Sequence, residues 1–472
     1  MKVKHQDLFI PDDGTDPFIN CKLNRKSYAE VLTDIVKNYK DGFVLAINNE
    51  WRTGKTTFVK MWRQYLKNQE FQTLYFNAWE NDFQNEVIIA LLSELVELKN
   101  KAEDNFQNIL EKAATFFKKV APSVAEGVAG KAIGKEAVSD IVASITEFTA
   151  QEVEKEILEF NNKKKGIHNF RKSLEKFVLK VNDGKPVIFI VDELDRCRPN
   201  YAVEVLEQIK HLFSVRGIVF VLSIDKKQLG NAVRGFYGSQ LIDADEYLRR
   251  FIDLEYEIPK PHTESFIRYL YNYFHFDHFI NYSKRSNMGS NSNEKSRFLR
   301  TAEMLFSNSD LSLRQMEKIF SRIRLTFNSY KDNEILLPEL LVFISFLKLK
   351  HNDFCDGIIG LKYNLQEVSN KLDKILTPFI GNANIRLLRL LVAEFLYRYF
   401  KDYEKANYTA DDKLLVHNKE SLTLMLGIQS NFEDDSNILL KYIEDLDGHF
   451  ESRWEGLGYV FTKYNLIENL LR

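Results

Sequence analysis

Cysteine is nearly missing from this 472-residue sequence: Cys21, Cys197 and Cys355 stand far apart. Three scattered thiols make neither a disulfide framework nor the paired spacing of a zinc site, and they fit a reducing, cytoplasmic setting. The nine histidines form no H-E-x-x-H pattern, so no protease or nuclease centre is expected. No run of 18 apolar residues occurs, which excludes a conventional transmembrane helix. The first dozen residues offer only Phe9, Ile10 and Pro11 as an apolar group, too few for a secretory signal. An excess of one charge is also lacking. The 65 Lys+Arg face 67 Asp+Glu, net −2, which argues against a surface coated in basic residues for nucleic acid. Proline is scarce, at 9 residues, so helix is expected over much of the chain.

What is present first is an alternation. Residues 23–40 place Tyr28, Val31, Leu32, Ile35 and Val36 on one helical face. Short apolar runs follow at Phe43–Ile47, Thr73–Trp79, Pro186–Glu193 and Gly217–Asp225, with a weaker one at Asp253–Pro259. Such runs suit strands buried on both faces. Helical patterns lie between them at Thr56–Lys67, Glu86–Lys101 and Tyr201–Phe213. Strands alternating with helices predict an α/β domain with a parallel sheet, over about residues 1–260.

Lys55 and Asp192 lie 137 residues apart, whereas two βαβ units need roughly 60. Residues of about 100–180 therefore read as a helical insertion. It holds an Ala/Val-rich piece, Val120–Ile145, too charged and broken to span a membrane, and a basic piece, Lys163–Lys180. Acidic Glu152, Glu154, Glu156 and Glu159 precede the basic run, so pairing along a helix surface is the favoured reading of it. Residues 282–296 are a polar loop, and residues 331–472 read as an all-helical interaction domain.

The chemistry concentrates after the first strand, in Asn49-Glu50-Trp51-Arg52-Thr53-Gly54-Lys55-Thr56-Thr57. Gly54, Lys55 and Thr56 match the end of the phosphate-binding pattern G-x-x-x-x-G-K-[ST], and Asn49 replaces its first glycine. Backbone N–H groups wrap phosphate oxygens at a helix N-terminus, and glycine permits the close approach. Lys55 would neutralise the β/γ-phosphates and Thr56 would ligate Mg²⁺. Asn49 is tolerable on this reading because asparagine visits left-handed backbone readily. The third strand ends in Asp192 and Glu193. Carboxylates at a strand's C-terminal end face the crevice where α/β sheets bind ligands. Asp192 would hold Mg²⁺ through water, and Glu193 would activate the attacking water. Asp195 and Arg196 would pair with each other or with a neighbouring subunit, and Trp79 reads as core.

Several stretches together resemble the KAP-type P-loop NTPases, a branch of the additional-strand class: LNRKSYAEVL, EWRTGKTTF, YFNAWEND, VDELDRCRP, LSIDKKQL and DEYLRRFIDLEYEIPKP. They span about residues 20–260 in order. The resemblance implies Mg·ATP as ligand, ATP hydrolysis, a helical lid over about 261–330 and homo-oligomeric assembly. It also implies a role beside a separate effector in bacterial antiphage defence. Relatives commonly carry glycine where this chain has Asn49 and Arg52, departures that bear on hydrolysis rate more than on binding. By the same resemblance Asn77 contacts the catalytic glutamate, and Asp225 with Ser223 occupies the region that reads the γ-phosphate. Arg249, Arg250 or Arg196 would complete a neighbour's site. Arg314 would reach the nucleotide from the lid, and Arg25 with Tyr28 would line the base pocket. Two other classes stay open: a non-hydrolysing nucleotide switch, motivated by Asn49 and Arg52, and a nucleic-acid-stimulated motor, motivated by Lys163–Lys180.

Overall fold

The computed structural model describes residues 8–39, 41–51, 53–83, 86–113, 150–181, 183–280, 294–331, 334, 336–381, 384–407, 414–418, 421–424, 430, 432, 438–449 and 456–470. Arg52, the Val120–Ile145 piece and most of the polar loop after 281 lie outside them. The chain forms two compact units, Asp7–Lys260 and Pro261–Arg472.

In the first unit five parallel strands form one sheet: β1 (Phe43–Asn48), β2 (Thr73–Asn77), β3 (Val187–Asp192), β4 (Ile218–Ile224) and β5 (Leu254–Tyr256), in the order β2-β3-β4-β1-β5. Every residue of β3 and β4 is buried. That is why these segments read as continuous apolar runs rather than alternating ones. Side chains alternate across the sheet. Val187, Phe189 and Val191 join Phe220 and Leu222 on one face, and Ile188 and Ile190 join Val219 and Val221 on the other. The second face is covered by α1 (Lys26–Asn38) and α2 (Lys55–Asn68), through Leu32, Val36, Phe58 and Trp62. The first face is covered by α4 (Val87–Glu94), α5 (Ala150–Val181), α6 (Pro199–Gln208) and α7 (Lys226–Tyr237). A four-residue helix, α3 (Ala78–Asn81), follows β2, and α8 (Ala244–Arg249) precedes β5.

Two local expectations change. β2 stops at Asn77, because the Asn77 carboxamide accepts the backbone N–H groups of Trp79 and Glu80 and starts α3 there. Trp79 is thereby turned out of the core and is 54% exposed. The basic run on α5 buries Phe170, Leu174 and Phe177 inward and leaves Lys165, Lys172, Lys176 and Lys180 exposed. The side chains of Glu152, Glu154, Glu156 and Glu159, the acids expected to pair with this run, lie outside the described residues.

The second unit is mostly helical. Tyr271, Phe276, Phe298, Phe320 and Phe327 form an aromatic cluster with ring centroids 5.0–5.7 Å apart. The helix Pro338–Lys350 is buried from Leu340 to Leu347. A two-stranded antiparallel pair, Leu415–Asn418 with Ser421–Leu424, adds to the helices. Among the described residues no helix is long and apolar enough to cross a membrane.

Candidate functional site

The site forms at the C-terminal edge of the sheet. Register puts Asn77, Asp192 and Ser223 side by side on β2, β3 and β4, with the end of β1 next to β4. The loop leaving β1 runs directly into α2. Gly54 caps α2 with φ 81°, a left-handed conformation that suits glycine, and an added Cβ would lie 3.0 Å from an Arg25 nitrogen. Lys55, Thr56 and Thr57 begin the helix, where unpaired N–H groups and the dipole favour an anion.

Lys55 is buried, and its ammonium donates to the backbone carbonyls of Asn49 and, at 3.1 Å, Glu50. Burial pushes its pKa down, while the charges of Asp195, Asp225 and Asp192 push it up. Glu50 is exposed, and its carbonyl also accepts the Thr53 hydroxyl at 2.9 Å. Thr56 is half-exposed on the first turn.

Asn49 does not serve through left-handed backbone, since its φ is not positive. Its carboxamide pairs with the chain just beyond β5, donating to the Ile258 carbonyl at 2.8 Å and accepting the Ile258 N–H at 3.0 Å. A glycine cannot do this. We expect Asn49→Ala and Asn49→Gly each to cost about 1–3 kcal/mol, the penalty for leaving buried backbone groups unpaired. The urea midpoint of the purified variants checks this, and an unchanged midpoint for Asn49→Gly contradicts it.

The rest of the loop is held from below and from the side. Arg25, 3% exposed, donates to the Thr53 carbonyl at 2.7 Å and the Gly54 carbonyl at 3.1 Å. Its hydrogen bonds go to the loop backbone, so it braces the phosphate cradle. Burial lowers its pKa. Asp225 accepts the Trp51 N–H at 3.1 Å and caps α7 through the Gln228 N–H. Its carboxylate is therefore engaged with the loop and the helix start. Asn48 accepts the Lys226 N–H at 2.9 Å, locking the ends of β1 and β4 together.

Asp192 is 1% exposed and accepts the Tyr75 hydroxyl at 2.9 Å and the Glu193 N–H at 3.0 Å. Burial and the Asp192 charge raise the Tyr75 pKa. Glu193 has φ 62°, a left-handed backbone that is strained for a non-glycine residue and is concentrated at working sites. Its pKa is raised by burial, lowered by Arg196, raised by Asp192, and lowered by a hydrogen bond from the Asn77 side chain. Asn77 thus caps α3 and also favours the ionised form of Glu193. Arg196 pairs with Glu193 at 2.7 Å rather than with Asp195. Asp195 instead turns inward, 7% exposed, and accepts the Trp51 indole N–H. Burial raises its pKa, opposed by Trp51 and Lys55. Tyr75 and Asn48 are functional neighbours that the sequence did not single out, and Asp195, expected to pair with Arg196 or a neighbouring subunit, meets the Trp51 indole instead.

Two candidate arginines of the first unit, Arg249 and Arg250, make their contacts outside this cluster. Arg249 is exposed and pairs with Glu246 at 3.1 Å, and Arg250 is exposed, its carbonyl accepting Lys210. Arg314 is exposed on the first turn of Leu313–Asn328, in the second unit.

The profile of the KAP family P-loop domain matches residues 25–399. The chain belongs to that family. The position of β4 between β1 and β3 is the additional strand of the class in which KAP proteins were placed by resemblance. Membership makes this a P-loop NTPase fold built to bind nucleotide. Among solved structures, one similar chain is the ORC2 protein of Aeropyrum pernix in its ADPNP–ADP complexes, 12% identical, covering 89% of this chain and 94% of that one, with a TM-score of 0.34. A search of curated proteins finds no match.

KAP relatives typically use Mg²⁺, and the donors here fit a hard cation. Asp192 is a buried carboxylate with two recorded hydrogen-bond partners, and Thr56 supplies a hydroxyl at the helix start. Among the described residues no group of three or more His, Cys, Asp or Glu could hold a metal by itself. An ion here would take most of its ligands from phosphate and water, as Mg²⁺ commonly does.

Proposed function

We propose that the chain binds Mg·ATP at this edge and hydrolyses it. The carrying observation is the register that ends β1 and β3 at one sheet edge on either side of Ser223, so that Lys55 at the start of α2 and Asp192 with Glu193 open on the same crevice. The α2 N-terminus and Lys55 would hold the β- and γ-phosphates. Thr56 and Asp192 would hold the metal, which supplies charge neutralisation on the phosphates when bound. Glu193 would take a proton as the water oxygen bonds to Pγ and the bond from Pγ to the bridging oxygen breaks, releasing ADP. Glu50, Trp51, Arg52, Thr53 and Thr57 would line the phosphate loop, with Asn49, Arg25 and Asp225 fixing its shape.

The exposure of Arg249 and Arg250 supports assembly into a homo-oligomer in which one of them reaches a neighbour's γ-phosphate. Arg314 would act on nucleotide from the second unit. Resemblance supports the finer role, an antiphage-defence ATPase that drives assembly of a complex with a separate effector, joined through the helical second unit. The test is steady-state phosphate release across a protein concentration series. Turnover per chain that rises with concentration, and stops rising in Arg249→Ala or Arg250→Ala, supports this assembly. ATP binding with no release at any concentration favours the non-hydrolysing switch.

A further inference from the structure

Helix α5 carries a charged face that the nucleotide site leaves unused. Residues 163–180 hold seven Lys and Arg against a single acid, Glu175, in a chain that is net −2 overall. Lys165, His168, Asn169, Lys172, Lys176 and Lys180 fall within an arc of about 120° at 3.6 residues per turn, and all six are exposed. Phe170, Leu174, Phe177, Val178 and Val181 occupy the opposite face and are buried. Rings hold that face down: Phe170 meets Phe213 and Phe177 meets Phe106, each with centroids 5.8 Å apart. Arg171, at the flank, donates to the Ser214 carbonyl at 2.5 Å. The outer face is thus a row of four lysines on a fixed helix, spanning roughly 22 Å at 1.5 Å per residue. The last three stand about 6 Å apart along the axis. None of Glu152, Glu154, Glu156 and Glu159 is three or four residues from a lysine of this row, the spacing that pairing along a helix requires.

We propose that this row is a docking surface for double-stranded DNA, held through the phosphate backbone without sequence preference. This goes beyond the nucleotide reading and does not depend on it. A regular line of cations complements a regular line of phosphates, and lysine meets each phosphate as a point charge on a flexible stem. The row faces about six base pairs at 3.4 Å per pair. The near-neutral net charge excludes a basic coat and leaves room for one basic line. No Phe, Tyr or Trp stands on the row, so it offers no platform for stacking the bases of a single strand. Duplex RNA is gripped by contacts spread over successive minor grooves, and a single row does not spread. A helix lying on lipid sinks an apolar face beside its cations. Here the apolar face is packed in the core, and Leu179, 51% exposed, is the one apolar residue on the outer arc between Lys165 and Lys180.

The test uses the full chain and a short fluorescein-labelled DNA duplex of mixed sequence, with anisotropy read over a salt series. Four phosphate contacts give the log of the binding constant a slope of about −3.6 against log salt, roughly a 150-fold loss between 50 and 200 mM. A second duplex of unrelated sequence is expected to bind equally well. The triple variant Lys172→Gln, Lys176→Gln and Lys180→Gln keeps one contact, so its loss over the same range falls to about threefold. No row residue belongs to the phosphate loop, so binding of a fluorescent ATP analogue stays unchanged and reports an intact fold. Should the triple variant fail to fold, Lys172→Gln alone is expected to flatten the slope by about one. Wild type that does not bind the duplex at 50 mM salt overturns the proposal, as do variants with the wild-type slope. Tighter binding of duplex RNA or single-stranded DNA than of the DNA duplex overturns it too. Retention on phosphatidylserine–phosphatidylcholine vesicles that the triple variant loses, with no duplex bound, assigns the row to lipid instead.

Discussion

Lys55→Ala is expected to weaken ATP binding at least about 100-fold. The estimate counts two charge-assisted hydrogen bonds to phosphate at about 1.5–3 kcal/mol each. The lysine is well prepared for that role. It is buried, and its ammonium rests on the carbonyls of Asn49 and Glu50. A phosphate entering the cradle meets a desolvated cation already at the helix start, where little reorganisation is needed. Burial lowers the Lys55 pKa, so the free chain loses this positive charge at lower pH than an exposed lysine would. ATP affinity is therefore expected to fall on the alkaline side before the range of an ordinary lysine. Titration of a fluorescent ATP analogue against wild type and Lys55→Ala, at neutral and alkaline pH, checks both statements. Equal affinity in the two proteins would place the nucleotide elsewhere.

Glu193→Gln has the opposite profile. Nucleotide affinity is retained, and turnover falls about 10²–10⁴-fold, the range for loss of a general base. The amide keeps the shape of the side chain and removes its capacity to take the proton. Burial raises the Glu193 pKa more than Arg196 lowers it. The acid limb of kcat/KM is therefore expected at higher pH than for an exposed glutamate. A phosphate-release assay over pH measures the limb. Glu193→Gln turning over at the wild-type rate would remove Glu193 from the chemistry.

Much of this arrangement is legible in the sequence, and for a physical reason. Strands β3 and β4 are buried on both faces, so each announces itself as an unbroken apolar run. The phosphate loop is local in sequence, and its glycine, lysine and threonine must occur at fixed spacing to wrap one anion. Asp192 and Glu193 stand at a strand end because that is where such a sheet opens. The parts that escaped are contacts between distant segments. The Asn49 carboxamide meets Ile258 across 209 residues, and Trp51 meets Asp195 across 144. Arg25 reaches the carbonyls of Thr53 and Gly54 from 28 and 29 residues away. None of these has a spacing rule, since each depends on how two elements pack.

Trp79 shows a different limit. Its apolar character suited a continuing strand, but a single capping carboxamide at Asn77 ended β2 two residues earlier and turned the indole outward. The P-loop asparagine carries the complementary lesson. Read against the usual glycine it is a departure, and in the fold it is a buried crosslink between the loop and the chain beyond β5.

The most direct test of the central claim is a structure of the Glu193→Gln chain with Mg·ATP. The account predicts the γ-phosphate within hydrogen-bond reach of the Lys55 ammonium, with the side chain of residue 193 facing a water in line with the bond to the leaving oxygen. A nucleotide whose phosphates lie away from Lys55, or whose γ-phosphate lies beyond reach of the Asp192–Glu193 strand end, would contradict it.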